Sequence, residues 1–437
     1  MRMIFFLNCL WVGTFVWHTD AAAQNSVKPE ASNVTQHAPA NPVVTGGLSK
    51  DQFPSRDSTA LQETKKLLPK LGQSETTHYV ILSDAGSSKI IEVGKLLEST
   101  FDKYLEVCNL LGLQPRPLRH KLVAVFFSEE IDYKTFAAQH DKVDKNWAVG
   151  YYSPLADRLV FYEPQSEELI KKAQSQLDEQ EHRLQMTEQL QQAQGNALRP
   201  NPQLNHAKNQ VAAEQSRIED LTAGNFVSTT VHEAAHQLFF HTDIQRNGVS
   251  YPMWLAEGLA TNFETETTEI RFGYQVDNWN RRDAFKLASA KNSIIPLELL
   301  LTKDRFADGT ESTEAIGFFY AQAYVFTNWL LRERPTELCL YLKALLDGSF
   351  IDAKSRKAEF ELIFGPLQRL ERNWVRYEGR REPHFLLSPY SKRVLAKISS
   401  SPVVSNPQPT PAPQPPDTTP ASTAPQSKSQ STPLPPK

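Results

Sequence analysis

The segment Val231-His232-Glu233-Ala234-Ala235-His236 constrains this chain more than any other. Histidines four apart on a helix project from one face, one turn above the other, so two imidazoles can meet a single ion. Val231, Ala235, Leu238 and Phe239 supply the apolar stripe that holds such a helix against a core. The small Ala234 and Ala235 allow close packing beneath it. Glu233 lies beside the histidine seam, placed to act as general base toward a water at the ion.

A zinc site that does chemistry keeps three protein ligands and one open position. The third ligand is not a histidine of an extended motif, because Phe239 and Thr242 stand where a longer HxxGxxH continuation would need glycine and histidine. His241 follows His236 by five residues and so points off the ligand face; it is expected to be a loop histidine. Glu257 is the better candidate. It begins another helix 21 residues after His236, beyond a loop from Asp243 to Pro252. Its neighbours Trp254, Leu255, Leu259 and Ala260 are apolar or small, and an unpaired carboxylate among them would be costly to bury. A metal removes that cost. His232, His236 and Glu257 are therefore the expected Zn2+ ligands.

The surrounding organisation is mixed α+β. His78–Leu82 and Lys121–Phe127 have the composition of strands, and Lys89–Leu111 that of an amphipathic helix. A short helix is expected near Ile131–Gln139. The aromatic runs Trp147–Tyr152 and Arg158–Tyr162 flank a turn-rich link, which predicts a hairpin. Residues 165–222 change character: Ile170, Leu177 and Leu184 recur every seven residues, as do Leu204, Val211 and Ile218. Gly195–Pro202 breaks the run, so a coiled-coil-like helical hairpin inserted in the domain is expected there. From Phe226 to about Leu387 the pattern is nearly all helical.

The ends differ from this core. Arg2, the apolar run Ile4–Trp17 and Ala21-Ala22-Ala23 make residues 1–23 a secretory signal, predicting a secreted or periplasmic protein. The run falls short of the ~20 residues needed to span a bilayer, and no later apolar run is long enough either, so no membrane span is expected after cleavage. Residues 24–75 are expected to be disordered or linker, 76–395 the folded domain, and 396–437 a Pro-rich disordered tail. The formal charge of −3, from 47 basic and 50 acidic residues, argues against a nucleic-acid groove. Cys108 and Cys339 could pair in an oxidising compartment, but each sits in a helical pattern and the expectation is two small buried thiols; no CxxC exists to form a zinc knuckle.

HEAAH followed by Trp254-Leu255-Ala256-Glu257-Gly258-Leu259-Ala260 resembles the gluzincin branch of zinc peptidases, and more closely the exported families grouped as MA-like peptidase domains. Gly150-Tyr151-Tyr152-Ser153-Pro154 and Tyr320-Ala321-Gln322-Ala323-Tyr324 are similar to further segments of those families, so the resemblance spans roughly residues 76–345. It implies a zincin-like fold, the ligands His232, His236 and Glu257, and Glu233 as base. It also implies that Tyr320, 63 residues after Glu257, donates a hydrogen bond to the oxyanion, with Tyr324 as the fallback. The Gly-x-Met-Glu-Asn strand by which aminopeptidases hold a free amine is absent from the sequence. The expectation is a zinc metallopeptidase acting on peptide or protein substrates. The competing expectation is a non-catalytic interaction protein whose zinc site is a relic; the intact Glu233 favours the enzyme.

Overall fold

A computed structural model describes residues 58–143, 149–193, 201–246, 249–306, 311–347, 350 and 352–381. The signal at 1–23 and the tail at 396–437 lie outside the described residues. The strands β1 (Gly72–Glu75), β2 (Tyr79–Ser83), β3 (Leu122–Phe127), β4 (Gly150–Ser153) and β5 (Arg158–Tyr162) form one mixed sheet in the order β1-β2-β3-β5-β4. The inner pairs β2–β3 and β3–β5 are parallel, and the outer pairs β1–β2 and β4–β5 antiparallel. β3 is buried along its whole length, which is why its apolar run does not alternate.

The helices are α1 (Thr59–Leu67), α2 (Ser87–Leu110), α3 (Glu130–Phe136), α4 (Glu168–Ala193), α5 (Pro202–His241), α6 (Met253–Thr261), α7 (Trp279–Ala290), α8 (Leu297–Thr302), α9 (Thr313–Glu333), α10 (Pro335–Leu346), α11 (Ala353–Phe364) and α12 (Leu367–Arg380). One sheet face packs Ile81, Ala124, Phe126 and Phe161 against residues of α2 and α5, including Phe101 and Phe226. The other face packs Val80, Leu82 and Val123 on Ala60 and Leu61 of α1, and Val125 and Val160 on Tyr133 and Phe136 of α3.

Two expectations need correction. The stretch 24–75, expected to be disordered or linker, carries α1 and β1 from Thr59 onward. Ser58 caps α1 by accepting from the Leu61 N–H at 3.1 Å, and only Ala60, Leu61 and Thr64 of α1 are buried, too few to show a period. The hairpin of α4 and α5 is also less separate than its heptads suggested. Ile170, Leu177 and Ile218 form their own small apolar cluster, but α5 runs 40 residues without a break and its C-terminal half is the HEAAH helix. At 1.5 Å per residue α5 is about 60 Å long, half an exposed arm and half a core element.

Cys108 on α2 and Cys339 on α10 are buried free thiols. Among the described residues no helix is long and apolar enough to cross a membrane.

The helical half positions Glu257. Every residue of α6 is buried, and α6 crosses α9 at Gly258. A Cβ there would stand 2.8 Å from the Ala323 carbonyl oxygen, so only glycine permits this approach.

Candidate metal centre

α5 presents His232 and His236 with ring centroids 4.9 Å apart and their Nε2 atoms 3.2 Å apart. α6 brings Glu257 against both: its Oε2 is 3.2 Å from His232 Nε2 and 3.6 Å from His236 Nε2. All three side chains are buried. A tetrahedral site with zinc-length arms of about 2.0–2.1 Å has ligand–ligand edges of about 3.3 Å, close to these spacings. A shared proton can satisfy only one pair among two imidazole nitrogens and a carboxylate oxygen in mutual contact. A cation satisfies all three, so the donor set fits a metal ion.

A second layer fixes the first. His232 Nδ1 lies 3.0 Å from Glu264 Oε1, the carboxylate contact that sets the tautomer and leaves Nε2 free for a metal. Arg281 on α7 grips Glu264 with two bonds, Nε to Oε2 at 2.7 Å and Nη2 to Oε1 at 2.6 Å. The Asn278 side-chain amide donates to Glu264 Oε2 at 3.1 Å, while its carbonyl oxygen caps α7 by accepting from the Arg281 N–H. Sequence reasoning missed Glu264, Arg281 and Asn278. The seven-residue spacing of Glu264 from Glu257 is no guide, because it would place the two on one helical face only if the helix continued. The chain actually leaves α6 at Thr261 and reaches Glu264 through tight turns.

Three buried carboxylates shape the electrostatics. Burial disfavours a charged His232, but its hydrogen bonds to Glu257 and Glu264 and the nearby Glu233 outweigh this and raise its pKa to about 10. Burial works to raise Glu257, yet the imidazoles of His236 and His232 bring it down to about 2. Glu264, also buried, is held below the usual carboxylate range by Arg281 and His232. Without a metal, the proton on His232 therefore supplies the positive charge between Glu257 and Glu264.

Glu233 is aimed from the same helix by the sheet edge. The backbone N–H of Tyr152 on β4 donates to Glu233 Oε2 at 2.9 Å, and Oε1 is buried with no hydrogen-bond partner among the described residues. Burial raises the Glu233 pKa to about 7, despite the His232 charge, in the range that suits a general base.

The two tyrosines separate. Tyr320, on α9, has its ring 6.3 Å from that of His232 and the Arg281 guanidinium 5.6 Å from its centroid. Burial, the Glu257 and Glu233 charges and a hydrogen bond to Glu257 keep its hydroxyl protonated, and thus a donor. Tyr324 instead accepts the Asn278 backbone N–H at 2.8 Å, which supports the Glu264 layer. His241 ends α5 and pairs with Asp157, away from the ligand face.

Comparison with curated proteins gives no match. Residues 226–348 match a protein-family model described as a protein of unknown function (DUF1570), a span that contains His232, Glu233, His236, Glu257, Glu264, Arg281 and Tyr320.

Proposed function

We propose that the chain is an exported zinc-dependent metallopeptidase of gluzincin type, hydrolysing peptide bonds in peptide or protein substrates. The observation that carries this reading is the convergence of three buried ligand atoms beside a glutamate with one carboxylate oxygen unengaged. Two imidazoles and a carboxylate suit zinc among divalent ions, and three protein ligands leave the open position that chemistry requires. A zinc ion there would supply Lewis acidity, acidifying a water and polarising the scissile carbonyl. Glu233 takes the proton of the attacking water on Oε1, while the Tyr152 N–H holds Oε2 and fixes the carboxylate plane. Glu233 then returns the proton to the departing amine. Tyr320, kept neutral by its surroundings, donates to the oxygen that gains charge.

The test combines elemental analysis with cleavage of a peptide library. One zinc ion at the buried site and cleavage that a chelator removes and zinc restores are expected. A protein stripped of zinc that cleaves undiminished would refute the proposal.

A further inference from the structure

A second group of ligand side chains lies where α5 ends. His120, Asp157 and His241 come from three separate segments: the link before β3, the β4–β5 turn and the last residue of α5. Each is half-buried, and one ligand atom from each lies within 4.8 Å of the other two. The two imidazoles meet edge to face, with centroids 5.4 Å apart.

The backbone is committed to this meeting. Asp157 adopts φ 53°, a left-handed conformation that Asp and Asn tolerate better than most residues. Arg116 N–H donates to the Thr242 carbonyl at 2.9 Å, tying the link before β3 to the end of α5. His120 Nδ1 lies 3.1 Å from the Lys121 carbonyl oxygen, so Nδ1 carries the proton and Nε2 has its lone pair free for a ligand bond. His241 Nε2 already contacts Asp157 Oδ1 directly.

We propose that His120, Asp157 and His241 form a second divalent-metal site, taking zinc or a similar first-row ion. Two imidazoles and one carboxylate are the donor types such ions prefer, and partial exposure leaves a position for water. Its place gives it a consequence. Tyr152 donates its backbone N–H to Glu233 and its hydroxyl to Asp157 Oδ1, the latter at 3.2 Å. An ion on Asp157 would clamp the β4–β5 turn to the end of α5 and steady the strand that orients Glu233. The site itself stands whether or not the buried centre hydrolyses peptides.

Zinc uptake by the full chain, measured by calorimetric titration and elemental analysis, tests the proposal. The unaltered chain should bind one more ion than either His120→Ala or Asp157→Asn, whatever the buried centre holds. Asp157→Asn keeps a residue suited to the left-handed turn but removes the anionic ligand, so its circular dichroism and metal-free thermal midpoint should match those of the unaltered chain. Equal zinc uptake by all three proteins would overturn the proposal and leave the cluster a hydrogen-bonded clamp.

Discussion

Gly258 and Thr327 meet so closely at the crossing of α6 and α9 that a Cβ on the glycine would lie 2.1 Å from the threonine Oγ1. Glu257 precedes this glycine, and Tyr320 lies on α9 two turns before Thr327. The crossing therefore sets the distance between Glu257 and the tyrosine beside it.

Gly258→Ala should destabilise the protein by about 1–3 kcal/mol, the range for overpacking a filled core. Alanine favours helix, but the Ala323 carbonyl is backbone and cannot rotate away. Thermal unfolding would show a lowered midpoint, and zinc affinity should fall with it. An unchanged midpoint would mean that α6 and α9 separate freely.

Metal loading should release protons. His232 has a pKa of about 10 without metal, so at pH 8 it holds a proton that coordination through Nε2 must displace. The sign follows: affinity rises with pH until His232 loses its proton unaided, near pH 10. Calorimetry at pH 8 in buffers of different ionisation enthalpy should show about one proton leaving His232 per ion at the buried centre. An observed enthalpy independent of the buffer would contradict this.

Tyr320→Phe should lower kcat by about 10²–10³ with little change in KM, as loss of one oxyanion donor does. Tyr324→Phe, the matched control, should spare kcat, because its hydroxyl serves the Asn278 backbone. If Tyr320→Phe instead weakened zinc binding and left turnover of the loaded protein intact, the hydroxyl would serve Glu257 alone.

Replacing residues 175–213 with a short turn should leave the fold and zinc binding intact. The cut removes Leu177 and Val211 from the small hairpin cluster but keeps Ile170 and Ile218, and none of these belongs to the main core. An insoluble or metal-free product would place the exposed arm of α5 within the core's folding unit.

The contrast between legible and illegible parts follows from the range of the interactions. His232, Glu233 and His236 are visible because a four-residue spacing on a helix is a local property. Glu257 is visible because its apolar neighbours make a solitary carboxylate costly. Glu264 was hidden because its pairing with His232 spans 32 residues and passes through turns rather than a helix. α1 was hidden by its polarity, with three buried residues in nine. The continuity of α5 was hidden because a heptad pattern gives way to unbroken burial from Ser228 to Phe240, with no proline to mark a break. Chain composition registers that change of surroundings as a domain boundary, whereas the backbone hydrogen bonds run straight through it.

The most direct measurement is peptide cleavage by Glu233→Gln with its zinc content determined on the same sample. Glutamine matches glutamate in shape but cannot accept the water's proton, so the lesion falls on the chemical step. The variant should hold as much zinc as the unaltered chain and lose activity by at least about 10²-fold, the lower range for removing a general base. Undiminished cleavage with the same zinc content would contradict the assignment of Glu233 as base, and with it the proposed mechanism.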